Sequence, residues 1–476
     1  MSDRFITAIG GYLPLLRLER KAAAGALRFA GLGGRRDGHR AVAGWDEDAL
    51  TLAVEAARGP AAGGPASALV FASTSAYFID RSQAALMVDA LGLPPATRTA
   101  DAGGSRRCAT SALLDAFERP GEVLIAAGEK RETQAGSAQQ GNYGDGSAAV
   151  RVGDCGGARF LGGASLAHDF IDSYTSRDRP TPYAYEERFV REAGAAKLLV
   201  PAIAAALTEA GVAADKVTFA AVAEPLAGTY AIAARKLGLT APNLATDLAI
   251  AAGDLGAAHA LFALGLVFAR ANLGDIVLLA GFGSGCDAML FEMVGEVDGA
   301  RGVAEALTTG QSLTDYVRFL NLSGAINLAW GMRAEIGQKA QATVLERAGR
   351  DMMGFVGGRD SLGNVQFPKS AMPVNPALDR PETLADVRLA DETGRIIAVT
   401  ADRLNYTPDP PFEFGLVQFD NGARVNMEFV DRPAEGFVVG QPVRMRLRIK
   451  SSDRQRGFRT YFWKAAPLDR PLLETA

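Results

Sequence analysis

Two adjacent arginines stand where a helix is predicted to begin. Arg106 and Arg107 follow two glycines and Ser105 in the segment DAGGSRRCATSALLDA. The free N–H groups and the dipole of a helix start attract anions, and guanidinium groups add permanent positive charge. Such a site suits a carboxylate, a phosphate or the oxygen of a developing enolate. Because arginine keeps its proton, neither residue can serve as a nucleophile. The alternative is a pair of surface arginines.

A second candidate segment, AAGDLGAAHALF, contains Asp254 and His259. A carboxylate can act as a general base, and an imidazole titrates near neutral pH, which suits proton transfer. His259 is one of only three histidines and lies five residues into an apolar helical pattern. The alternative for His259 is therefore a buried imidazole whose nitrogens make structural hydrogen bonds.

Two tyrosines and a serine complete the candidates. Tyr143 precedes a glycine turn in QQGNYGDGS, and Tyr185 lies in the polar, aromatic segment PTPYAYEERFVREAG. A phenol can donate or accept a proton in catalysis, although half-buried packing is the alternative for each. Ser284 lies in GFGSGCDA, whose glycines predict a tight turn.

The elements that position these residues alternate between strands and helices up to residue 295. Short apolar segments bounded by turn residues predict buried strands at 68–73, 121–128, 217–223 and 275–281. Helical spacing is present at 82–91, 110–118, 195–210, 229–237 and 257–271. This alternation predicts a layered α/β domain with mostly parallel sheets.

The same order of four elements occurs twice. ALGLP, an alanine-rich helix, PGEVLIAAG and GDGSAAVRVG in the first half match KLGLT, a similar helix, LGDIVLLAG and GSGCDAMLFEMV in the second. The order indicates an internal duplication, with repeats at about 1–165 and 166–295. The alternative is that any α/β protein contains similar glycine–strand–glycine segments.

The character of the chain changes after this duplicated region. Residues 296–350 are predicted to form a helical extension and linker. From 351 to 470, short alternating runs and a DNG turn predict a small, mostly β domain. About five strands in this length suit a small closed barrel of the OB type.

Composition excludes several classes of protein. The 476 residues carry a net charge of −4, which gives no electrostatic reason to expect nucleic acid or a membrane as partner. Three cysteines without a CxxC pair favour a reducing compartment. We expect no signal peptide and no membrane span, and a cytoplasmic location. The absence of a P-loop, HExxH and GxGxxG argues against nucleotide hydrolysis and dehydrogenase chemistry.

In their order, these segments resemble the thiolase superfamily, in particular archaeal-type hydroxymethylglutaryl-CoA synthase and ketoacyl synthase III. The resemblance is carried by residues 101–116, 144–150, 224–239, 274–288 and 313–324. Residues 355–368, 419–431 and 458–467 resemble the OB-fold protein that accompanies such synthases. The resemblance implies a duplicated αβαβα thiolase-like domain followed by a small all-β OB-fold domain.

The chain departs from this family at its catalytic positions. The family's cysteine nucleophile stands at a helix start five residues after an aspartate, and counting from Asp101 this position is Arg106. The family's histidine falls on Ala223, and its asparagine falls on Asp254. The glutamate of the synthases falls near Thr74.

The cysteines of the family have no direct counterpart. Cys108 lies two residues beyond the nucleophile position, rotated by ~200° around the helix, so we expect a small buried residue facing away from the pocket. The alternative is a thiol activated by the helix start. The accompanying protein usually begins with a four-cysteine zinc ribbon, but GGRDSLGNVQFPKSAMPVNP has no cysteine, and we expect no zinc there.

The resemblance implies an acyl-CoA substrate, with coenzyme A as its carrier, and a homodimer. Our leading hypothesis is an enzyme that makes or breaks a C–C bond next to the thioester without an acyl-enzyme, by an aldol, retro-aldol or synthase-like reaction. Arg106 would hold the enolate, and the base would be Asp254, His259 or Tyr143. The candidate substrate-binding residues are Ser105, Arg107, Tyr185 and Ser284. Two alternatives remain open: an acyltransferase or synthase that uses Cys108, and a non-catalytic acyl-CoA-binding scaffold.

Overall fold

A computed structural model of the chain describes residues 3–473 except 33, 35, 185, 332–341, 371, 373, 379 and 381. The first half contains strands β1 (Phe5–Tyr12), β2 (Leu16–Glu19), β3 (His39–Val42), β4 (Ala68–Ala72), β5 (Arg98–Ala102), β6 (Val123–Glu129) and β7 (Gly146–Gly153). Its helices are α1 (Arg20–Ala26), α2 (Ala49–Ala61), α3 (Gln83–Ala90), α4 (Cys108–Phe117) and α5 (Ala138–Asn142).

The second half repeats this alternation. Its strands are β8 (Ala158–Ala167), β9 (Ser173–Ser176), β10 (Arg179–Ala184), β11 (Val217–Val222), β12 (Ile276–Phe282) and β13 (Gly285–Met293). Its helices are α6 (Glu187–Gly194), α7 (Val200–Ala210), α8 (Thr229–Leu237), α9 (Leu244–Ala251) and α10 (His259–Phe268). The linking region contains α11 (Ala300–Thr308), β14 (Gln311–Leu313), α12 (Tyr316–Leu322) and α13 (Ala342–Gly354).

The C-terminal region is mostly β. It contains β15 (Val356–Arg359), β16 (Val365–Gln366), β17 (Ala385–Arg388), β18 (Thr393–Asp402), β19 (Phe412–Phe419), β20 (Arg424–Glu428), β21 (Pro442–Asp453) and β22 (Phe458–Pro467). The DNG turn joins β19 to β20 as a hairpin, as its sequence predicts.

The main sheet has the strand order β11-β12-β13-β8-β1-β7-β6-β4-β5. In the first half β4 runs parallel to β6, and β6, β7 and β1 follow as antiparallel neighbours. In the second half β11 runs parallel to β12, and β12, β13 and β8 follow in the same way. Only two residue pairs, at Phe5 and Ile6, join β1 to β8. The two halves therefore share one pairing pattern, as expected for a duplicated fold.

The helices form layers around these two half-sheets. Helices α4 and α10 pack between them in one hydrophobic cluster, while α2 and α3 cover the outer face of the first half. Helix α7 covers the outer face of the second half. All ten residues of α10 are buried, which explains why its sequence is apolar on every side.

Four details differ from the sequence-based expectations. The main sheet is mixed rather than mostly parallel, because five of its eight strand pairings are antiparallel and three are parallel. The second half begins with β8, which starts at Ala158, so the predicted repeat boundary at 165/166 falls inside this strand. Helix α4 begins at Cys108 rather than at Thr110, with Arg107 as its N-cap residue. The helical run Glu187–Ala210 begins eight residues before the helix predicted at 195–210, and it is long and apolar enough to cross a membrane by length and composition alone. Core helices of globular domains pass the same test, and Ile203 and Ala206 of this run pack in a hydrophobic cluster with β11 and β13.

The C-terminal strands form an antiparallel sheet in the order β20-β19-β18-β21-β22. A parallel bridge between Phe429 and Ala465 brings the end of β20 against β22. This sheet shares one hydrophobic cluster with α2 and α3. Between the two regions, Arg446 Nη1 lies 2.6 Å from Glu55 Oε2, and both side chains are buried. The C-terminal domain is therefore packed firmly against the first half of the duplicated region.

Candidate active site

A cavity of about 2060 Å³ lies at the carboxyl ends of the parallel strands. Its walls include the segments that follow β4, β5, β6 and β12, and residues 103–106 lead from β5 to the start of α4. In α/β folds this edge is where ligands bind. Gly281 of β12 allows α4 to lie close, because a Cβ there would stand 2.1 Å from Thr110 Oγ1. The cavity thus contains the helix start singled out in the sequence.

Arg106 lines this cavity and is held by two carboxylates. Its Nη2 pairs with Asp172, and its Nη1 lies 3.4 Å from Asp254 Oδ2. Burial alone would lower the pKa of Arg106, but Asp172 and Asp254 outweigh it and raise the pKa above its ordinary value. The side chain is 17% exposed, so a fixed positive charge remains accessible in the cavity.

Asp254 is shared between two guanidinium groups. Its Oδ1 lies 3.6 Å from Arg131 Nη2 and accepts a hydrogen bond of 2.8 Å from the N–H of Gly256. Burial opposes ionisation, yet Arg131, His259 and Arg106 together hold the pKa of Asp254 well below its ordinary value. Asp254 therefore stays ionised, and so low a pKa makes it a weak general base.

Tyr143 lies directly beside the charge cluster formed by Arg106, Arg131, Asp172 and Asp254. Backbone hydrogen bonds on either side of it, from Gly144 N–H to Asp254 O (2.9 Å) and from Asp254 N–H to Asn142 O (2.8 Å), fix the two segments together. The Cζ of Arg131 stands 3.5 Å from the centre of the Tyr143 ring. The ring lines the cavity, and its hydroxyl makes no hydrogen bond to the part of the chain that the structure describes. Tyr143 is thus available to a substrate.

His259 Nδ1 lies 4.0 Å from Asp254 Oδ1, and His259 is outside the cavity lining. Its Nδ1 accepts a hydrogen bond of 3.1 Å from the N–H of Leu255, so its Nε2 carries the hydrogen that points to Ala245 O at 3.0 Å. Burial lowers its pKa, and the opposing effect of Asp254 does not restore it. The structure therefore does not bring His259 to the site as a proton carrier, and both its nitrogens have structural partners.

Cys108 is also placed away from the cavity. It is 6% exposed, packs in the central hydrophobic cluster and is absent from the cavity lining. Burial raises the pKa of its thiol to about 12, and the nearby carboxylate of Glu129 adds to the rise. The helix start does not activate this thiol, because burial has the larger effect.

The candidate binding residues differ in their placement. Ser105 lines the cavity and donates a hydrogen bond of 2.5 Å to Gly283 O, and Ser284 lines it with a positive φ of 46°. Arg107 points away from it, with Nη1 2.6 Å from the buried carboxylate of Asp287. Our prediction of Arg107 as a binding residue is therefore not supported, and Tyr185 lies outside the described residues.

Sequence reasoning missed three charged residues here: Glu129, Arg131 and Asp172. Glu129 is fully buried at the end of β6 and accepts hydrogen bonds from Thr74 N–H (2.8 Å) and Thr74 Oγ1 (2.9 Å). A carboxylate thus stands next to the position of the family's glutamate. The available signal was the run of four charged residues, EKRE at 129–132, that follows the apolar strand VLIAAG at the sheet edge where sites form. Asp172 lies in a loop with no such signal.

Among the residues that the structure describes, no group of three or more histidine, cysteine, aspartate or glutamate side chains is arranged to hold a metal ion.

Comparison with known proteins gives a consistent result. No family model matches the chain. It is 26% identical over 313 residues to a hydroxymethylglutaryl-CoA synthase of Aeropyrum pernix, covering 62% of this chain and 83% of that protein. A hydroxymethylglutaryl-CoA synthase solved in complex with CoA superposes with a TM-score of 0.58, at 17% identity, over 72% of this chain and 92% of that one.

The 3-oxoacyl-(acyl carrier protein) synthase III of Pseudomonas aeruginosa PAO1 superposes with a TM-score of 0.53, at 18% identity, over 62% of this chain and 98% of that one. Both solved structures support the α/β architecture predicted from the repeated elements. The chain therefore has a thiolase-like fold and is similar in sequence to archaeal hydroxymethylglutaryl-CoA synthases.

Proposed function

We propose that this protein is an enzyme that makes or breaks a C–C bond next to a CoA thioester without forming an acyl-enzyme. Its sequence similarity to hydroxymethylglutaryl-CoA synthases supports an acyl-CoA substrate. The cavity at the start of α4 is large enough for an acyl group together with a pantetheine arm.

One observation carries the proposal. At the start of α4 the guanidinium of Arg106 is exposed to the cavity, whereas the thiol of Cys108, two residues later, is buried outside the cavity lining. Covalent catalysis needs an activated nucleophile, which arginine cannot be. A permanent positive charge at a helix start instead stabilises an oxyanion. Arg106 is therefore suited to hold the enolate oxygen of a thioester.

The reaction that fits is a retro-aldol cleavage of a β-hydroxyacyl-CoA, or its reverse. A base removes the proton from the β-hydroxyl group, the Cα–Cβ bond breaks, and its electron pair enters the thioester enolate while a ketone or aldehyde leaves. The enolate then takes a proton at Cα, which balances the reaction. We assign this proton transfer to the phenolate form of Tyr143, which takes the proton from the β-hydroxyl group and returns it to the enolate at Cα. Asp254 is a weak base, and both nitrogens of His259 are occupied.

The experiment is to incubate the purified protein with β-hydroxyacyl- and β-ketoacyl-CoA esters of increasing chain length and to identify the CoA products by liquid chromatography and mass spectrometry. We expect a chain-shortened acyl-CoA from at least one ester, and none from Arg106→Gln. Arg119→Gln, at an exposed arginine just beyond the same helix, is the matched control and keeps full activity. Absence of both turnover and CoA-ester binding in the wild-type protein excludes the proposal.

Neither alternative gains a supporting observation. An acyltransferase using Cys108 needs a thiolate, which burial of this thiol opposes. A non-catalytic scaffold would tolerate Arg106 and Asp254 turned towards solvent, whereas both are held in ion pairs at or behind the cavity wall.

We also propose that two copies associate through β5. This strand is at the edge of the main sheet, and four of its five residues are exposed. Unpaired edge strands of this kind are templates for pairing with a second chain. Light scattering should give twice the chain mass of 49.9 kDa, and a monomer at micromolar concentration excludes this assembly.

For the C-terminal domain we propose an OB-type barrel. The strand order with the Phe429–Ala465 bridge is cyclic, so the sheet closes on itself in the manner of a small five-stranded barrel.

A further inference from the structure

The segment of residues 74–79 forms one wall of the cavity. The start of the segment is held by Glu129 at the end of β6. Thr74 Oγ1 donates a hydrogen bond of 2.9 Å to Glu129 Oε1, and Ser75 Oγ donates one of 2.5 Å to Glu129 Oε2. Glu129 in turn accepts a hydrogen bond of 3.2 Å from the N–H of Ala257, in the loop between Asp254 and α10. This end of the segment is thus tied to the charge cluster around Arg106.

The other end of the segment is held by the C-terminal domain. The Cζ of Arg459, on β22, stands 3.6 Å from the centre of the Tyr77 ring. The rings of Phe78 and Phe458 are 5.7 Å apart, and Arg81 stacks on both of them at 4.7 and 4.8 Å. Ala76 and Ile79 of the segment are exposed, and Ile79 reaches 79% exposure.

The orientation of the Arg459 side chain is fixed by Asp48. Its Nη1 donates a hydrogen bond of 3.0 Å to Asp48 Oδ2, which also accepts one of 2.9 Å from the hydroxyl of Tyr461. The other oxygen of Asp48 caps α2 through the N–H of Thr51. A planar guanidinium fixed on one edge by a carboxylate presents its face to an aromatic ring, an arrangement that lysine cannot reproduce.

We propose that Arg459 is a positioning residue through which the C-terminal domain sets the shape of the acyl-binding cavity. It holds Tyr77, and with it the wall of residues 74–79, over the site that contains Arg106. Asp48, Tyr77 and Arg459 all line the cavity, and Ile449 and Ser452 of the C-terminal domain line it as well. The fused domain therefore selects the acyl group, which goes beyond the reaction proposed above but rests on it.

The test compares Arg459→Met with Arg424→Met, an exposed arginine on β20 that lies outside the cavity lining. Hydrogen exchange followed by mass spectrometry reports on the wall directly and needs no activity. We expect faster exchange at the amides of residues 76–82 in Arg459→Met only. Loss of a half-buried cation–π contact corresponds to a roughly 2- to 30-fold effect on the local equilibrium. Unchanged exchange in this segment overturns the proposal.

Kinetics separate positioning from general structural damage. For Arg459→Met we expect KM to rise by at least roughly fivefold for the preferred acyl-CoA and the preference among chain lengths to change, with kcat within about twofold. Tyr77→Phe keeps the ring that contacts Arg459, so hydrogen exchange at residues 76–82 should match that of the wild-type protein, while Tyr77→Ala should reproduce the faster exchange of Arg459→Met. An equal loss of kcat for all esters contradicts a role in acyl selection. If exchange changes but no CoA ester binds even the wild-type protein, the proposed function fails while the positioning of the wall stands.

Discussion

Arg106 Nη1 lies 3.4 Å from Asp254 Oδ2, although 148 residues of sequence separate them. Arg106 precedes α4 of the first half, and Asp254 precedes α10 of the second half. The pair therefore joins the two halves of the duplicated domain at the bottom of the cavity, where the thiolase-like fold brings the starts of these two central helices together.

The stability of this cluster should depend on charge balance. In Arg106→Gln, Asp172 loses its only ion pair among the described residues. Asp254 keeps the guanidinium of Arg131, and His259 Nδ1 lies 4.0 Å from its Oδ1. Removing one partner of a buried pair leaves an uncompensated charge, so the free energy of unfolding should fall by about 3 kcal/mol in urea denaturation. Arg106→Gln with Asp172→Asn should recover most of this loss while turnover stays absent. Recovery of turnover in the double variant would show that the guanidinium is not needed for the reaction.

Removal of the Tyr143 hydroxyl should affect chemistry and leave binding intact. Tyr143→Phe keeps the ring stacked under Arg131 and loses only the group that moves the proton. We expect kcat to fall by roughly 10²- to 10⁴-fold, the usual contribution of a positioned acid or base, with an unchanged Kd for a CoA ester by calorimetry. A variant with wild-type kcat would remove Tyr143 from the mechanism.

Cys108 should be dispensable and unreactive. Burial raises the pKa of its thiol to about 12, so almost no thiolate exists at pH 8. Cys108→Ala should keep kcat within about threefold, and iodoacetamide at pH 8 should label the exposed Cys155 but not Cys108 in peptide mapping. Labelling of Cys108 ahead of Cys155, with loss of turnover, would instead support the thiol mechanism.

His259 should make the protein less stable in mild acid. Its folded-state pKa lies below the ordinary value of 6.5, first because of burial, so below pH 6.5 the unfolded chain binds a proton that the folded chain does not. The contribution of His259 to the free energy of unfolding is therefore fully present above this pH. It is lost as the pH decreases, by up to about 1.4 kcal/mol per pH unit. Urea denaturation between pH 5 and 7.5 measures this slope, which should be smaller in His259→Gln.

A control for His39 is needed, because burial lowers the pKa of this histidine as well. His39 therefore adds to the pH dependence of the free energy of unfolding with the same sign as His259. His39→Gln should remove its own part of the slope and leave that of His259. An identical pH dependence in wild type and His259→Gln would mean that His259 titrates normally in the folded protein.

The elements of the duplicated domain that could be predicted are those with strong apolar patterns. The predicted strands at 68–73 and 217–223 correspond to β4 and β11, and the predicted helix at 229–237 is α8. Helix boundaries were less certain where polar residues begin a helix, as at Cys108. The predicted helix at 195–210 is the C-terminal part of the run Glu187–Ala210. The first eight residues of this run were not predicted, because four of them are charged.

The site could be predicted only in part. Arg106, Asp254 and Tyr143 were identified from their motifs, yet no periodicity indicates that the segments of Tyr143 and Asp254 form a backbone bridge. Asp172 and Arg459 were not identified, because their roles arise from contacts between distant parts of the chain. Arg107 has the same local sequence context as Arg106 but points the other way, since α4 turns it towards Asp287.

The most direct test of the central claim is a single-turnover experiment with excess protein over a cleavable β-hydroxyacyl-CoA. Samples quenched in acid are divided between intact-protein mass spectrometry and analysis of the CoA esters. We expect the chain-shortened acyl-CoA to accumulate while the mass of the protein stays unchanged at every time point. A transient protein adduct with the mass of an acyl group, formed and lost at the rate of product formation, would contradict a reaction that depends on Arg106 in place of a thiolate.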